Sequence, residues 1–393
     1  MTATAATRPA LHIVLVGGGH SHVGVLRSLG LQPMANVRLT LISTDTHAPY
    51  SGMLPGYVAG HYSHGDVHID LQRLATFAGA ALCHDEVIGI DRNAQTVLRR
   101  NGAPVHYDFL SLNLGATPQV TRVPGALEHS VPVKPIARFN QRWLALLERV
   151  RSHSGSTTIA VVGAGAGGVE LLLAMQYRLQ RELQLLGRNA DALRFRLITQ
   201  SAEILPTHNA GVRRRFRAVL AESGVQVHVN TAVCEVQAGS LRAANGVVID
   251  ADEIIWVTQA GGAPWLAATG LALDDGGFVQ VNDHLQSVTD PRIFAAGDAA
   301  AMVGHPLEKA GVFAVRQARP LTDNLRASVH GQPLVAYRPQ RKWLALISTG
   351  NRYAVASRGS IGFAGSWVWH WKDWIDRRFM RRFSDLPGMP REP

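Results

Sequence analysis

Two glycine clusters are the first residues in this chain whose type and spacing could do chemistry. Gly17, Gly18 and Gly19 close the segment LHIVLVGGGHSH, residues 11–22, and Gly163, Gly165 and Gly168 punctuate TIAVVGAGAGG, residues 158–168. A glycine directly after a strand permits a tight turn, which is the part given to Gly17 and Gly163. A second, at Gly19 and Gly165, lets backbone N–H groups come close to a pyrophosphate. The anion then lies at the positive end of the following helix. Gly168 allows the second helix to pack closely on its strand. In the first copy that third place is taken by His22, a departure from the pattern. The chemistry implied is the binding of two dinucleotides.

The elements that must position these loops are legible around them. Each cluster follows an apolar, β-branched run and precedes a helical pattern, VGVLRSLG in one case and VELLLAMQYRLQRELQLL in the other. Uninterrupted apolar strands indicate parallel sheets covered on both faces. Three later segments have the same build: SLNLGATP at 111–118, IIWVTQAGGAP at 254–264 and IFAAGDAA at 293–300. The last is read as a strand, then Gly297-Asp298, then a small-residue helix start. The fold class expected is α/β, two nested Rossmann-like domains with a small α+β C-terminal part.

Composition narrows the function classes. Hydrophobic residues make up 46% and charged residues 17%, an ordinary globular balance. No apolar run reaches the roughly 18 residues of a spanning helix. Residues 1–10 read as a disordered lead to a cytoplasmic protein. The net charge of +10 favours anionic partners, with arginine clusters at 213–217 and 377–382. No nucleic-acid motif accompanies them, so nucleic acid is not an expected partner. The two cysteines, Cys83 and Cys234, form no CxxC pair and read as buried strand thiols. His61, His64 and His68 read as a polar loop rather than a metal site, because Gly65 and Asp66 mark a turn.

The two glycine motifs and the Gly-Asp segment, in this order, resemble the pyridine nucleotide–disulfide oxidoreductase superfamily over about residues 11 to 330. The strings HAPYSGMLPGYVAG (47–60), EKAGVFAVRQ (308–317) and WHWKDWIDRRFMRRF (369–383) resemble one branch of it. That branch is the oxidoreductase domain fused ahead of selenide, water dikinase in some proteins, near the type II NADH dehydrogenases and sulfide:quinone reductases. The resemblance implies an FAD-binding domain at 11–120 and 265–330, an NAD(P)H-binding domain at 121–264, and a C-terminal part at 331–393.

It also implies residue roles. Gly17, Gly18 and Gly19 would hold the FAD pyrophosphate. His20, with His22, would touch a phosphate or shield the flavin, or be an ordinary helix-start residue. Ser43 stands where an acid usually binds the adenosine ribose, with Asp45 two residues on. Val87 matches the backbone position for adenine, and Ala116 and Thr117 belong to the cofactor-lining turn. Gly297 and Asp298 would meet the ribityl chain, with helix capping the bland alternative for Asp298. The helix from Lys309 onward would face the flavin pyrimidine, with Lys309 offsetting charge there. Tyr50 would line the ring edge or simply pack in its loop.

In the second domain Gly163, Gly165 and Gly168 would bind NADH or NADPH, and Glu170 would stand near the nicotinamide. Thr199 and Gln200 occupy the usual acidic position, so donor preference is open. The disulfide of the family's reductases is missing, so electrons pass directly from flavin to an acceptor, a quinone or another small molecule. The glutamine pair of the quinone reductases is only partly matched, by Val312 and by Arg316 or Gln317. A second reading is a flavin-bearing partner protein with a degenerate NAD site. The Trp- and Arg-rich segment 366–383 suits a peripheral membrane contact, or a helix docked on its own flavin domain or across a homodimer.

Overall fold

The computed structural model describes residues 10–390 apart from 119 and 259. The disordered lead expected before residue 10 lies outside the described residues.

Two five-stranded parallel sheets dominate. In the first, Leu11–Val16 is central. Val37–Ser43 and then Ala80–His84 lie on one side, Phe109–Leu112 and then Ile293–Ala295 on the other. In the second, Thr157–Val162 is central. Leu193–Ile198 and Gln226–His228 lie on one side, Glu253–Trp256 and Val131–Pro132 on the other. Each glycine strand thus sits mid-sheet and is shut off from water. Ile13, Val14, Leu15, Ile159, Ala160 and Val161 are all 0% exposed. Burying a Val, Leu or Ile side chain stabilises by about 1.5–3 kcal/mol, so these strands anchor the loops that follow them.

The chain passes between the sheets twice. The two crossings pair with each other, Thr117 opposite Gly261 and Pro118 opposite Ala260, antiparallel. Both glycine loops leave the carboxyl ends of their strands, the edge where ligands bind in open parallel sheets.

The C-terminal part is a three-stranded antiparallel sheet, Ala345–Ser348, Ala354–Arg358 and Ile361–Gly365, followed by the helix Ser366–Ser384. It straddles both domains. Ile347 and Val355 join the apolar core of the second sheet, while Phe379 and Phe383 join that of the first. The helix therefore docks along one face on the core of the first sheet. Its other face leaves Trp367 58% and Trp374 54% exposed. A helix with aromatics at nearly every turn cannot bury all of them against one neighbour.

Two expectations are corrected. After Gly297-Asp298 the chain makes a short 3-10 turn and then a strand, Ala300–Met302, paired with Val279–Val281; the helix begins only at Gly311. Small residues there serve a close strand pairing rather than a helix start. Cys83 is half-buried, with its Sγ 2.7 Å from Arg99 Nη1, and Cys234 is exposed, its Sγ pointing to the carbonyl of Arg242 on the adjoining strand of a small sheet. Among the described residues no group of histidines, cysteines and carboxylates could hold a metal. His64 and His68 stack with ring centres 3.8 Å apart, and His61 bonds to the carbonyl of Gly350.

Candidate active site

The first glycine loop is held by a residue the sequence reading passed over, Asn113, at the end of strand Phe109–Leu112. Its Oδ1 accepts from the N–H groups of Ser21 (3.0 Å) and His22 (3.2 Å), and its Nδ2 donates to Ala296 O at 2.8 Å. One amide thereby ties the loop, the sheet and the Gly-Asp segment. It also explains the glycines. Gly17 has φ +91°, and a Cβ there would lie 2.6 Å from Asn113 O. A Cβ on Gly19 would lie 2.4 Å from Asn113 Oδ1. Gly19 is thus required first by the fold. Asn113 takes two of the helix's free N–H groups; no acceptor among the described residues meets those of Gly19 and His20.

His22 is a core residue and is not positioned for phosphate contact. It is 0% exposed, its Nδ1 donating to Gly17 O at 2.7 Å and its Nε2 2.8 Å from Ser111 Oγ. Burial lowers its pKa to about 4 against that carbonyl bond, so the ring is neutral near pH 7. The imidazole replaces a close glycine contact with two hydrogen bonds.

His20 faces the opposite way. Its Nε2 is shut off from solvent without a partner, its ring meets Tyr50 edge-on at 5.4 Å, and it feels the charges of Asp298 and Lys134. Burial draws its pKa down to about 4. Tyr50 stacks on Phe379 at 4.5 Å, and its hydroxyl donates to Asp376 Oδ1 at 3.2 Å. Burial and that carboxylate push the phenol well above its ordinary range.

Asp298 caps no helix. Its Oδ2 is 2.6 Å from Lys134 Nζ. Lys309 shares a small pocket with Gly297, Asp298 and Ala310, but its ammonium donates to Ala300 O at 2.6 Å and lies 3.7 Å from the Phe278 ring centre. Burial lowers its pKa. Gln317 is buried and its Oε1 accepts from Gly297 N at 2.6 Å, while Arg316 turns outward to Gln340. The glutamine near this helix thus fixes the Gly-Asp turn.

Ser43 is buried, and its Oγ accepts from Asp45 N at 3.2 Å. Val87 opens a separate three-stranded sheet beside Asp85, Ala116 is buried and Thr117 is exposed.

In the second domain the three glycines divide by cause. A Cβ on Gly168 would lie 1.8 Å from Gly163 O, the close packing expected. Gly163 has φ +121°. Around Gly165 and Gly167 a Cβ would meet nothing within 4 Å, so their backbone faces open space. That is a cradle suited to a diphosphate at the helix N-terminus. Thr199 at the strand end accepts from Ser201 N at 3.2 Å through its hydroxyl.

Glu170, one turn into that helix, points away from the cradle toward the C-terminal part. Its Oε1 accepts from Ser348 N at 2.7 Å and Ser348 Oγ at 3.0 Å. Burial raises its pKa; Lys372 and Ser348 work against the rise. Lys372 donates to Gly52 O at 2.7 Å and to Asp376 Oδ2 at 2.8 Å. Burial pulls the lysine down, but Asp376 and Glu170 outweigh it and hold the pKa above its ordinary value. Lys372, Asp376 and Tyr50 are linked by hydrogen bonds, and the charge of Lys372 acts on Glu170 nearby without bonding to it, a polar cluster where both sheets' cores and the last helix meet.

Two parallel sheets, each with a glycine turn at its carboxyl edge, a polar cluster where they meet and no CxxC cysteine pair are the features of a flavin- and pyridine-nucleotide-dependent oxidoreductase. A family model described as pyridine nucleotide-disulphide oxidoreductase matches residues 11–319, and the chain belongs to that family. It is an FAD-dependent, NAD(P)H dehydrogenase-like oxidoreductase. The type II NADH:quinone oxidoreductase of Haemophilus influenzae is 24% identical over 88% of this chain and 86% of its own length. The NADH dehydrogenase-like protein YutJ of Bacillus subtilis is 25% identical over 89% and 94%. Among solved structures, the sulfide:quinone oxidoreductase of Aquifex aeolicus superposes with TM-score 0.79 at 20% identity, covering 96% of this chain and 93% of that one. NDH2 of Plasmodium falciparum in complex with NADH gives 0.79 at 14%, covering 97% and 100%.

Proposed function

We propose that this protein oxidises NADH or NADPH and passes the electrons through FAD to a quinone. The observation that carries the reading is the buried polar cluster of Glu170, Lys372, Asp376 and Tyr50 between the two glycine-loop sheets, in a chain without a CxxC pair. The quinone-reducing relatives support the choice of acceptor.

Residues 11–120 and 265–330 form the FAD domain in this reading, and 121–264 the donor domain. Gly17, Gly18, Gly19 and His20 hold the FAD pyrophosphate end, Ser43, Val87, Ala116 and Thr117 the adenosine side and the turn beside it, and Gly297 and Asp298 the ribityl chain. Lys309 adds positive charge to the Asp298 pocket. Gly163, Gly165 and Gly168 shape the donor's diphosphate cradle. When bound, FAD supplies the two-electron redox chemistry.

The overall reaction, NADH + H⁺ + quinone → NAD⁺ + quinol, takes up one proton. Glu170 is the residue to hold it. Ser348 occupies Oε1, so the proton sits on Oε2, and burial favours the neutral acid. Lys372 stays charged, holds Asp376, and fixes the Gly52 loop through its carbonyl, while Ser348 orients Glu170.

A quinone with a long tail lies in a membrane. No helix among the described residues is long and apolar enough to cross one. The exposed side chains of Phe363, Trp367 and Trp374, with Arg378 over the Trp374 ring at 5.2 Å, suit peripheral contact with an acidic bilayer.

The test is anaerobic titration of the purified holoprotein with NADH, then NADPH, following flavin absorbance. Fast bleaching by either, reversed by a short-chain quinone, is the expected result. A flavin that neither donor bleaches overturns the reading and leaves a flavin-bearing partner protein.

A further inference from the structure

The cation closest to Asp298 comes from the other domain. Lys134 follows strand Val131–Pro132, the edge strand of the second sheet, pinned there by Val131 opposite Ile255, Pro132 opposite Trp256, and Val133 N donating to Trp256 O at 3.1 Å. Its side chain leaves the carboxyl edge of that sheet and places Nζ 2.6 Å from Asp298 Oδ2, just past the carboxyl end of strand Ile293–Ala295 in the first sheet. The pair spans 164 residues of sequence and both ligand-binding edges.

Three observations mark this spot as more than a surface ion pair. His20, at the start of the first glycine-loop helix, feels both charges, so glycine loop, Gly-Asp turn and Lys134 converge. The His20 Nε2 is buried and unpartnered, a polar atom that the described residues do not satisfy. Lys309, the other cation of this pocket, donates to Ala300 O and lies over the Phe278 ring and makes no ion pair with Asp298. An anionic dinucleotide that gains further negative charge on reduction needs a cation here, and Lys134 is the one that reaches Asp298.

We propose that Lys134 is an FAD-binding residue supplied by the donor domain, contributing the positive charge of the flavin pocket beside Asp298. The two domains then share one cofactor site, and the linker carrying Lys134 is part of it. The proposal concerns the FAD pocket alone and stands whichever donor or acceptor the protein uses.

The experiment compares the full-length wild type with Lys134→Gln and Lys134→Arg. FAD is removed, its rebinding is titrated by flavin fluorescence, and the flavin midpoint potential of each reloaded protein is measured. The expected result is FAD affinity at least tenfold weaker in K134Q and a potential shifted to more negative values, with both recovered in K134R. A mere tie to Asp298 would lower the melting temperature of the FAD-free chain and leave affinity and potential unchanged, and that result overturns the proposal. A second measurement needs no variant: FAD should slow labelling of Lys134 by an amine-reactive reagent at least tenfold, read by mass spectrometry. Labelling that FAD does not slow also overturns it.

Discussion

Glu170 and Ser348, 178 residues apart, are joined by two hydrogen bonds to one carboxylate oxygen, at 2.7 Å from the backbone N–H and 3.0 Å from the hydroxyl. The contact ties the donor-domain helix to the first strand of the C-terminal sheet. Glu170→Gln is expected to fold and to lower donor-to-quinone turnover by about 10²-fold, the low end for loss of a proton-transfer group. Burial raises the Glu170 pKa, so the folded chain keeps this proton to higher pH than the unfolded one. Its contribution to stability is therefore full below 4.5 and falls as pH rises through the folded value. Urea unfolding at pH 5 and pH 8 should show that slope in the wild type and a flatter one in E170Q.

His22 gives the opposite slope. Its folded pKa of about 4 lies below the ordinary 6.5, so the unfolded chain binds the proton first. Stability is full above 6.5 and is lost as pH falls toward 4, by on the order of 3 kcal/mol for this group. Unfolding free energies of the wild type and His22→Gln between pH 7 and 4.5 should converge as the pH falls.

The second glycine loop separates fold from function. Gly168→Ala puts a Cβ 1.8 Å from Gly163 O and should destabilise by about 1–3 kcal/mol. Gly165→Ala meets nothing within 4 Å at φ −70°, and should leave the melting temperature near the wild type while weakening NAD(P)H binding at least tenfold. Differential scanning calorimetry and donor KM values test both.

Thr199 ends the strand where a carboxylate would meet the adenosine ribose of NADH. Thr199→Glu should shift the kcat/KM ratio toward NADH over NADPH by about tenfold, since a carboxylate bonds ribose hydroxyls and repels the 2′-phosphate. Steady-state rates with both donors decide it.

Trp367 and Trp374 leave more than half their surface open. The wild type should co-sediment with vesicles of acidic lipid at low salt, and the Trp367→Ser/Trp374→Ser double variant should lose most of that binding while retaining its flavin spectrum. Equal sedimentation of the two would remove this face as a contact.

The local signals in the sequence proved sufficient for the two sheets, because a parallel strand covered on both faces must be continuously apolar and must end in glycine where the chain turns to its helix. Residues 13–17 and 159–163 state this directly. The Gly-Asp turn was legible too, but the strand Ala300–Met302 after it was not, since small residues suit a helix start and a close strand pairing equally.

The sequence by itself determined that two glycine-turned parallel sheets follow each other along the chain, without a CxxC cysteine pair. Local composition encodes all of that, strand by strand. Only the tertiary structure decided what meets between the sites. Asn113 became the clamp of the first loop, His22 went into the core against Ser111, and Lys134 of the second sheet reached Asp298 beside the first. The last helix divided its aromatics between the core of the first sheet and solvent. These contacts join residues roughly 90 to 330 positions apart, and no periodicity or spacing in a chain carries the distance between such pairs.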